Sequence, residues 1–172
     1  MPQGPLSPRL AKLAAGDALY VARNPAGFLV LSEVPDAETL WLVSTGTGLA
    51  PFLALLRTDE LWSRFRNVVL VHAVRYAREL TYQEVIKATQ ARYVTFVSRE
   101  AAPGSLGGRI PAAIADGRLE AAAGLKLAPE NSHVMLCGNP QMLKDATAAL
   151  VARGMRKHRR RAPGHITVES FW

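Results

Sequence analysis

Short apolar runs recur along most of this chain, separated by longer segments of mixed polarity. From Thr39 onward, runs rich in Val, Leu or Phe predict strands at 40–44, 67–73, 92–97 and 132–137. The segments between and after them predict helices at 49–57, 79–90, 109–122 and 139–153. Regular alternation of strand and helix is typical of a parallel sheet with helices on both faces. We therefore expect an α/β fold.

Residues 1 to 38 have a different pattern. The segment from Ser7 to Leu13 predicts a short helix with Ser7 as N-cap, and two short strands are predicted at 18–22 and 28–31. Two short strands and one small helix cannot bury a core of their own. We expect residues 18–31 to be unpaired strands that pair with another chain or become disordered.

The turn after the first predicted strand carries the clearest chemistry. In Ser44–Phe52, Gly46 and Gly48 allow the backbone to approach a ligand closely, and Pro51 suits the first turn of a helix. The free amides at such a helix start attract a pyrophosphate. We predict a nucleotide site here. An ordinary strand-to-helix turn is the alternative, because the full G-x-G-x-x-G pattern is absent.

Arginines follow the second and third predicted strands. Arg75, Arg99 and Arg109 would then lie on one edge of the sheet, where ligands of such folds bind. A guanidinium can hold a phosphate through two hydrogen bonds. Two or three of them favour the 2′-phosphate of NADP over the free hydroxyl of NAD. Each arginine taken singly is also compatible with an ordinary surface position.

Two further segments follow the fourth predicted strand. Gly138 permits close approach of a ligand and Asn139 begins the next helix, whereas Cys137 is also compatible with a small buried apolar residue. The chain ends in Phe171 and Trp172, aromatic rings that could stack on a flat ligand or pack on the sheet.

Composition narrows the class of protein. The chain has 172 residues, 49% of them hydrophobic and 20% charged, as in soluble globular proteins. Its single cysteine excludes an internal disulfide and a CxxC metal or redox pair. No stretch is apolar enough to span a bilayer, and the start lacks the features of a signal peptide, so we expect a cytoplasmic protein without a membrane partner.

The net charge of +7 is unevenly distributed. No acidic residue occurs between Ala146 and Val168, a span that contains Arg153, Arg156, Lys157 and Arg159–Arg161. Such a cluster can attract an acidic protein, nucleotide or nucleic acid, or be a solvated helix end. Nucleic acid is the weakest of these interpretations, because the basic cluster is not accompanied by a nucleic-acid-recognition motif.

Together these segments resemble the bacterial-type ferredoxin/flavodoxin–NADP⁺ reductases. The segments that resemble the family are 44–52, 72–82, 97–111, 137–142 and 157–172, and the segment 4–10 resembles its flavin-pyrophosphate loop. The resemblance implies a Rossmann-like NADP-binding domain at 39–172, flanked by helices. Residues 1–38 would be a short remnant of the antiparallel β-barrel that binds FAD.

The resemblance also implies roles for individual residues. Hydride would pass between NADPH and FAD, and single electrons between the flavin and an acidic ferredoxin or flavodoxin. Cys137 would lie beside the nicotinamide C4, and Glu169 would be the carboxylate near the hydride-transfer centre. The implied cofactor-binding residues are Ser7, Thr45, Gly46, Thr47, Gly48, Arg75, Arg99, Arg109, Gly138, Asn139, Phe171 and Trp172. No metal is implied.

One family motif is missing from the sequence. The Arg-x-Tyr-Ser signature that grips the flavin occurs nowhere in the chain. A misplaced gene start, a fragment and a short homologue are the three explanations that remain open. We expect FAD to bind weakly or not at all, and an NADP(H)-binding module without redox turnover is the alternative function.

Overall fold

A six-stranded parallel sheet forms the centre of the computed structural model, which describes residues 5–24 and 27–170. The strands are β1 Thr39–Thr45, β2 Asn67–Val74, β3 Arg92–Val97, β4 Leu106–Gly107, β5 Ser132–Gly138 and β6 Ile166–Ser170. The predicted α/β fold with a parallel sheet is confirmed, and so are its four predicted strands. The two-residue β4 and the edge strand β6 were not predicted.

Seven α-helices connect or precede these strands in the described part of the chain. They are α1 Ser7–Leu10, α2 Leu49–Leu55, α3 Asp59–Arg64, α4 Gln83–Lys87, α5 Ile110–Ala115, α6 Arg118–Ala123 and α7 Pro140–Ala152. The helix predicted at 109–122 is two helices, because Gly117 adopts a φ of 81° between them. The helix predicted at 79–90 is also shorter, and α3 was not predicted.

The strand order β4-β3-β2-β1-β5-β6 defines where a ligand can bind. The chain runs outward from β1 to β4 and then returns to the other side of β1 to form β5 and β6. Ligands of open α/β sheets bind outside the carboxyl ends of the strands at such a reversal. The carboxyl ends of β1 and β5 therefore mark the candidate site.

Helices cover the sheet on both faces, since successive side chains of a strand point to opposite sides. Trp41, Val43 and Val71 belong to a core with α5, α6 and α7. Leu40, Leu42 and other residues of the opposite face belong to a second core with α2, α3 and α4. Burial on both faces explains the continuous apolar runs in the sequence.

The N-terminal region differs from its prediction. No strand forms at 18–22 or 28–31, and residues 18–24 are exposed. An isolated strand has no neighbour to satisfy its backbone groups, so these apolar residues remain in irregular structure. The helix that begins at Ser7 ends at Leu10, and Ser7 is not its N-cap: Leu6 holds that position and no side-chain bond caps the helix.

The end of this region packs on the main core. Leu29, Leu31 and Val34 belong to the same buried cluster as Leu40. Arg64 of α3 donates a hydrogen bond to the carbonyl oxygen of Leu31 at 2.6 Å and another to that of Val34. The division of the chain at residue 38 stays a prediction. In the described ranges, no helix has the length and apolar character needed to cross a membrane.

Candidate functional site

The turn after β1 exposes backbone at the carboxyl edge of the sheet. Ser44 is buried, and its hydroxyl donates to the carbonyl oxygen of Val71 at 2.9 Å. Gly46–Gly48 then form a 3₁₀ turn that leads directly into α2. Gly46 has a φ of 51°, and a Cβ placed on it would meet nothing within 4 Å. Exposed Gly46 and Thr47 therefore leave room for a ligand against the main chain.

The same turn packs tightly against the end of β5. A Cβ on Gly48 would lie under 3.0 Å from the carbonyl oxygen of Cys137, and a Cβ on Gly138 would lie under 3.0 Å from the Thr45 hydroxyl oxygen. The amide of Asn139 donates to that hydroxyl oxygen at 2.9 Å. Thr45–Gly48 and Cys137–Asn139, predicted separately from the sequence, thus meet in the fold. Gly48 and Gly138 allow contact within the protein, while Gly46 is the open position.

Asn139 fixes the start of α7 at this edge. Its side-chain oxygen accepts hydrogen bonds from the amides of Gln141 at 2.9 Å and Met142 at 3.2 Å. Pro140 occupies the first turn, where its missing amide costs nothing. The predicted helix start is confirmed.

Cys137 and Glu169 are neighbours on adjacent strands. They are register partners in the β5–β6 pair. Burial raises the pKa of the Cys137 thiol to about 11, and the negative charge of Glu169 contributes to the same shift. The thiol is therefore uncharged at neutral pH.

The carboxylate of Glu169 binds the N-terminal region of the chain. Its Oε2 accepts hydrogen bonds from the amides of Phe28 at 3.2 Å and Leu29 at 3.1 Å. The sequence singled out Glu169, but nothing in it pointed to Phe28, which lies 141 positions away.

The three arginines lie on the part of the edge formed by β2, β3 and β4. Val74 pairs with Val97, and Val97 pairs with Gly107, so the strands end together. The amide of Arg99 also donates to the carbonyl oxygen of Arg75 at 2.9 Å. Strand register thus confirms the predicted common edge for Arg75, Arg99 and Arg109.

The arginine side chains differ in their contacts. Arg75 forms an ion pair with Glu79 at 3.2 Å, while its side chain remains 69% exposed. Two hydrogen bonds from the backbone amides of Arg75 and Tyr76 help to hold the pKa of Glu79 below its usual value, against the effect of partial burial. Arg99 and Arg109 are exposed, and within residues 5–24 and 27–170 their side chains form no ion pair.

Three predicted cofactor-binding residues are not brought to this edge by any described contact. Ser7 is exposed on α1. Phe171 and Trp172 lie outside the described residues, so their predicted stacking on a flat ligand stays a prediction. A metal site was not predicted, and the described residues contain no group of three or more metal-ligating side chains.

Comparison with known proteins gives a consistent set of relatives. Residues 42–148 match the family model described as the oxidoreductase NAD-binding domain. The whole chain is 52% identical to a flavodoxin/ferredoxin–NADP reductase of Shigella flexneri and spans 72% of its length. It is 35% identical to a ferredoxin–NADP reductase of Azotobacter vinelandii, over 96% of the chain and 69% of the relative.

A solved structure agrees with these relatives. The crystal structure of a ferredoxin NADP⁺ reductase from Neisseria gonorrhoeae, with bound FAD and NADP, superposes with a TM-score of 0.93 at 37% identity. The match covers 99% of this chain and 71% of that protein.

Proposed function

We propose the function of this chain from one premise: it belongs to the flavodoxin/ferredoxin–NADP reductases. It is an oxidoreductase of that flavin-dependent family, which exchanges electrons between NADPH, FAD and a ferredoxin or flavodoxin. The observation that carries the proposal for this chain's own site is the junction of Thr45–Gly48 with Cys137–Asn139 at the chain reversal of the sheet.

The residues at this junction fit an NADP molecule. Gly46 and Thr47 are exposed, and a Cβ placed on Gly46 would meet nothing within 4 Å. A pyrophosphate can lie against such a backbone and accept hydrogen bonds from its amides. We assign Thr45, Gly46, Thr47 and Gly48 to the path of the pyrophosphate and nicotinamide, with Gly138 and Asn139 on its other side.

The arginine edge fits the 2′-phosphate. Arg75, Arg99 and Arg109 follow three adjacent strands, and all three are exposed. Arg99 and Arg109, which form no ion pair in the described ranges, can rearrange around an anion. Glu79 orients Arg75 through the ion pair at 3.2 Å. We propose that these arginines hold the 2′-phosphate and so select NADP over NAD.

Cys137 and Glu169 fit the nicotinamide end of the site. The thiol of Cys137 is small and uncharged, which allows an aromatic ring to approach the end of β5 without burying a charge. Glu169 places one carboxylate beside it. We propose that both residues contact or adjoin the nicotinamide and exclude water from it.

The described residues fit FAD less well than they fit NADP. FAD supplies the hydride and single-electron chemistry of the family when bound. Arg-x-Tyr-Ser is absent from the sequence, and residues 5–24 and 27–38 contain no strand. We expect this chain to bind FAD weakly, so the purified protein should be colourless; stoichiometric flavin absorbance after gel filtration would contradict this. An NADP(H)-binding module without turnover is the second candidate on the same observations.

We propose a ferredoxin or flavodoxin of acidic character as the protein partner. The basic turn, defined as Arg156–Arg161, exposes Arg156, Lys157, Arg159 and Arg161, none of which forms an ion pair in the described ranges. Arg160 of this turn lies over Phe28, whose amide binds Glu169. The basic turn therefore adjoins the candidate site and can steer an acidic protein toward it.

Salt dependence tests the docking proposal. An R159Q/R161Q variant should associate with an acidic flavodoxin several-fold more slowly at low salt than wild type, and similarly at high salt. The control is R66Q, which removes an exposed arginine that directly precedes the amino end of β2. Equal slowing by R66Q would point to overall charge and would contradict a docking role for the turn.

We also propose a cytoplasmic location. Cys137 is free and buried, as is usual in a reducing compartment, where structural disulfides are rare.

Titration with NADP⁺ and NAD⁺ tests the central proposal. Wild type should bind NADP⁺ more tightly, because only NADP⁺ offers the 2′-phosphate to the arginines. R75A should weaken NADP⁺ about tenfold, the size of one charge-assisted contact, and leave NAD⁺ nearly unchanged. R66A removes an exposed arginine from the amino end of the same strand and should change neither affinity. Equal wild-type affinities for the two nucleotides would contradict the assignment.

A further inference from the structure

One contact anchors the segment Gly27–Glu33 to the last strand of the sheet. Oε2 of Glu169 accepts hydrogen bonds from the amides of both Phe28 and Leu29. Gly27 has a φ of 129°, and a Cβ there would lie 3.2 Å from the same oxygen. The carboxylate therefore rests directly on the main chain, and a larger residue at 27 would crowd it.

A second contact holds the same segment from the basic turn. Nε of Arg160 donates to both carboxyl oxygens of Glu33, at 3.0 and 2.9 Å, and Nη2 adds a further bond to Oε1. The guanidinium carbon also lies 4.8 Å from the centre of the Phe28 ring. The hydrogen bond from Arg160 is the main cause of a lowered pKa at Glu33, and the ion pair raises the pKa of Arg160.

The turn that carries Arg160 is itself closed by backbone bonds. The amide of Arg159 donates to the carbonyl oxygen of Ala162 at 3.1 Å, and the reverse bond is 2.9 Å long. This closed turn therefore holds the guanidinium of Arg160 next to Glu33, which lies 127 positions away in sequence.

We propose that Arg160 and Glu169 form a two-point clamp on Gly27–Glu33 that sets the position of Phe28 beside the nicotinamide end of the site. The proposal rests on the proposed function, since Cys137 and Glu169 define that end. Arg160 is a positioning residue for the reaction, since it acts through the segment that it holds. Glu169 holds the same segment in addition to adjoining the nicotinamide.

Geometry distinguishes this clamp from an ordinary surface ion pair. Isolated exposed pairs stabilise little, because solvent screens them and both side chains lose freedom. Here the side chain of Glu33 is only 19% exposed. The planar guanidinium of Arg160 donates hydrogen bonds to that carboxylate from its edge and stacks on the Phe28 ring with its face. Only arginine offers both surfaces, so lysine should not replace it.

Amide hydrogen exchange of Phe28 and Leu29 in the 172-residue chain tests the clamp. R160Q and R160K should each raise both exchange rates about fivefold, and E169A about tenfold, because each change removes charge-assisted bonds or ring stacking. E169Q keeps an acceptor oxygen and should stay within about threefold of wild type. R161Q removes the same charge from the adjacent position and should change neither rate.

Two outcomes of the exchange measurement would overturn the clamp. One is unchanged protection in R160Q and E169A. The other is an equal rise in R161Q, which would assign the effect to the net charge of the turn.

A pair of nucleotides tests the link between the clamp and the site. R160Q should weaken the binding of NADP⁺ about threefold. It should leave the affinity for 2′,5′-ADP, which lacks the nicotinamide, unchanged. Equal weakening of both, or of neither, would contradict a role at the nicotinamide end. If wild type bound neither nucleotide, the proposed function would fail, while the exchange rates would still decide whether the clamp exists.

Discussion

At the scale of single residues, the glycines of the site have different tasks. Gly48 and Gly138 lie where any side chain would collide with β1 or β5, whereas Gly46 faces open space. All three were predicted from the sequence as places of close ligand approach. Residue type shows that the backbone can come near something; the fold shows whether that neighbour is protein or solvent.

Alanine substitutions separate these tasks. G48A should destabilise the fold by about 2–3 kcal/mol and abolish tight NADP⁺ binding, because its Cβ forces the turn away from Cys137. G46A has room for the methyl group but a φ of 51°, so it should cost only about 1 kcal/mol. Urea denaturation gives both values. Equal stability of the two variants would show that the turn is not packed on β5 as described.

At the scale of elements, buried strands were the most predictable part of the chain. The four predicted strands are apolar because both faces of the sheet are covered, and that pattern is local in sequence. β6 lies at the sheet edge, where residues 166–170 alternate in burial and one face is partly solvated. It therefore lacks the continuous apolar run by which the four buried strands were predicted. β4 is only two residues long and has no detectable period.

The predictions of one helix and of the N-terminal strands were wrong for different reasons. Gly117 divided one predicted helix in two, although the alanine-rich segments on either side favour helix. The strands at 18–22 and 28–31 have the composition of strands but no partner in the described structure. Strand formation depends on a neighbour, which a local pattern does not report. The clamp was unpredictable too, because its contacts join residues more than 120 positions apart.

At the scale of the whole molecule, two buried histidines tie stability to pH. Nδ1 of His72 lies 3.2 Å from the Tyr93 hydroxyl, and burial lowers the pKa of His72 to about 4. Nε2 of His133 lies 2.9 Å from the Thr167 hydroxyl, and burial, helped by the nearby His158, lowers the pKa of His133 to about 3. Both rings are therefore neutral in the folded protein throughout the physiological range.

Acidification should unfold the protein through these rings. In the unfolded chain both histidines titrate near the ordinary value of 6.5, so the unfolded state takes up protons first as the pH falls. For each histidine, the free energy of unfolding should fall with a slope that rises from about 0.7 kcal/mol per pH unit at pH 6.5 to nearly 1.4 at pH 5. Carboxylates such as Glu33, whose pKa is held below its usual value by the hydrogen bond from Arg160, contribute only at lower pH.

Urea denaturation at pH 7, 6 and 5 measures this slope. H72Q and H133Q each remove one titrating ring, so each should roughly halve the slope whatever it does to stability at pH 7. A wild-type stability that stays constant from pH 7 to 5 would contradict the burial of both neutral rings.

The location of bound NADP⁺ tests the central claim most directly. An amide NMR titration of the ¹⁵N-labelled chain reports every backbone position at once. We expect the largest shift changes at Thr45–Gly48, Cys137–Asn139 and the three arginines of the β2–β4 edge. Changes confined to the basic turn Arg156–Arg161, or spread without focus over the surface, would show that the junction of β1 and β5 is not the nucleotide site.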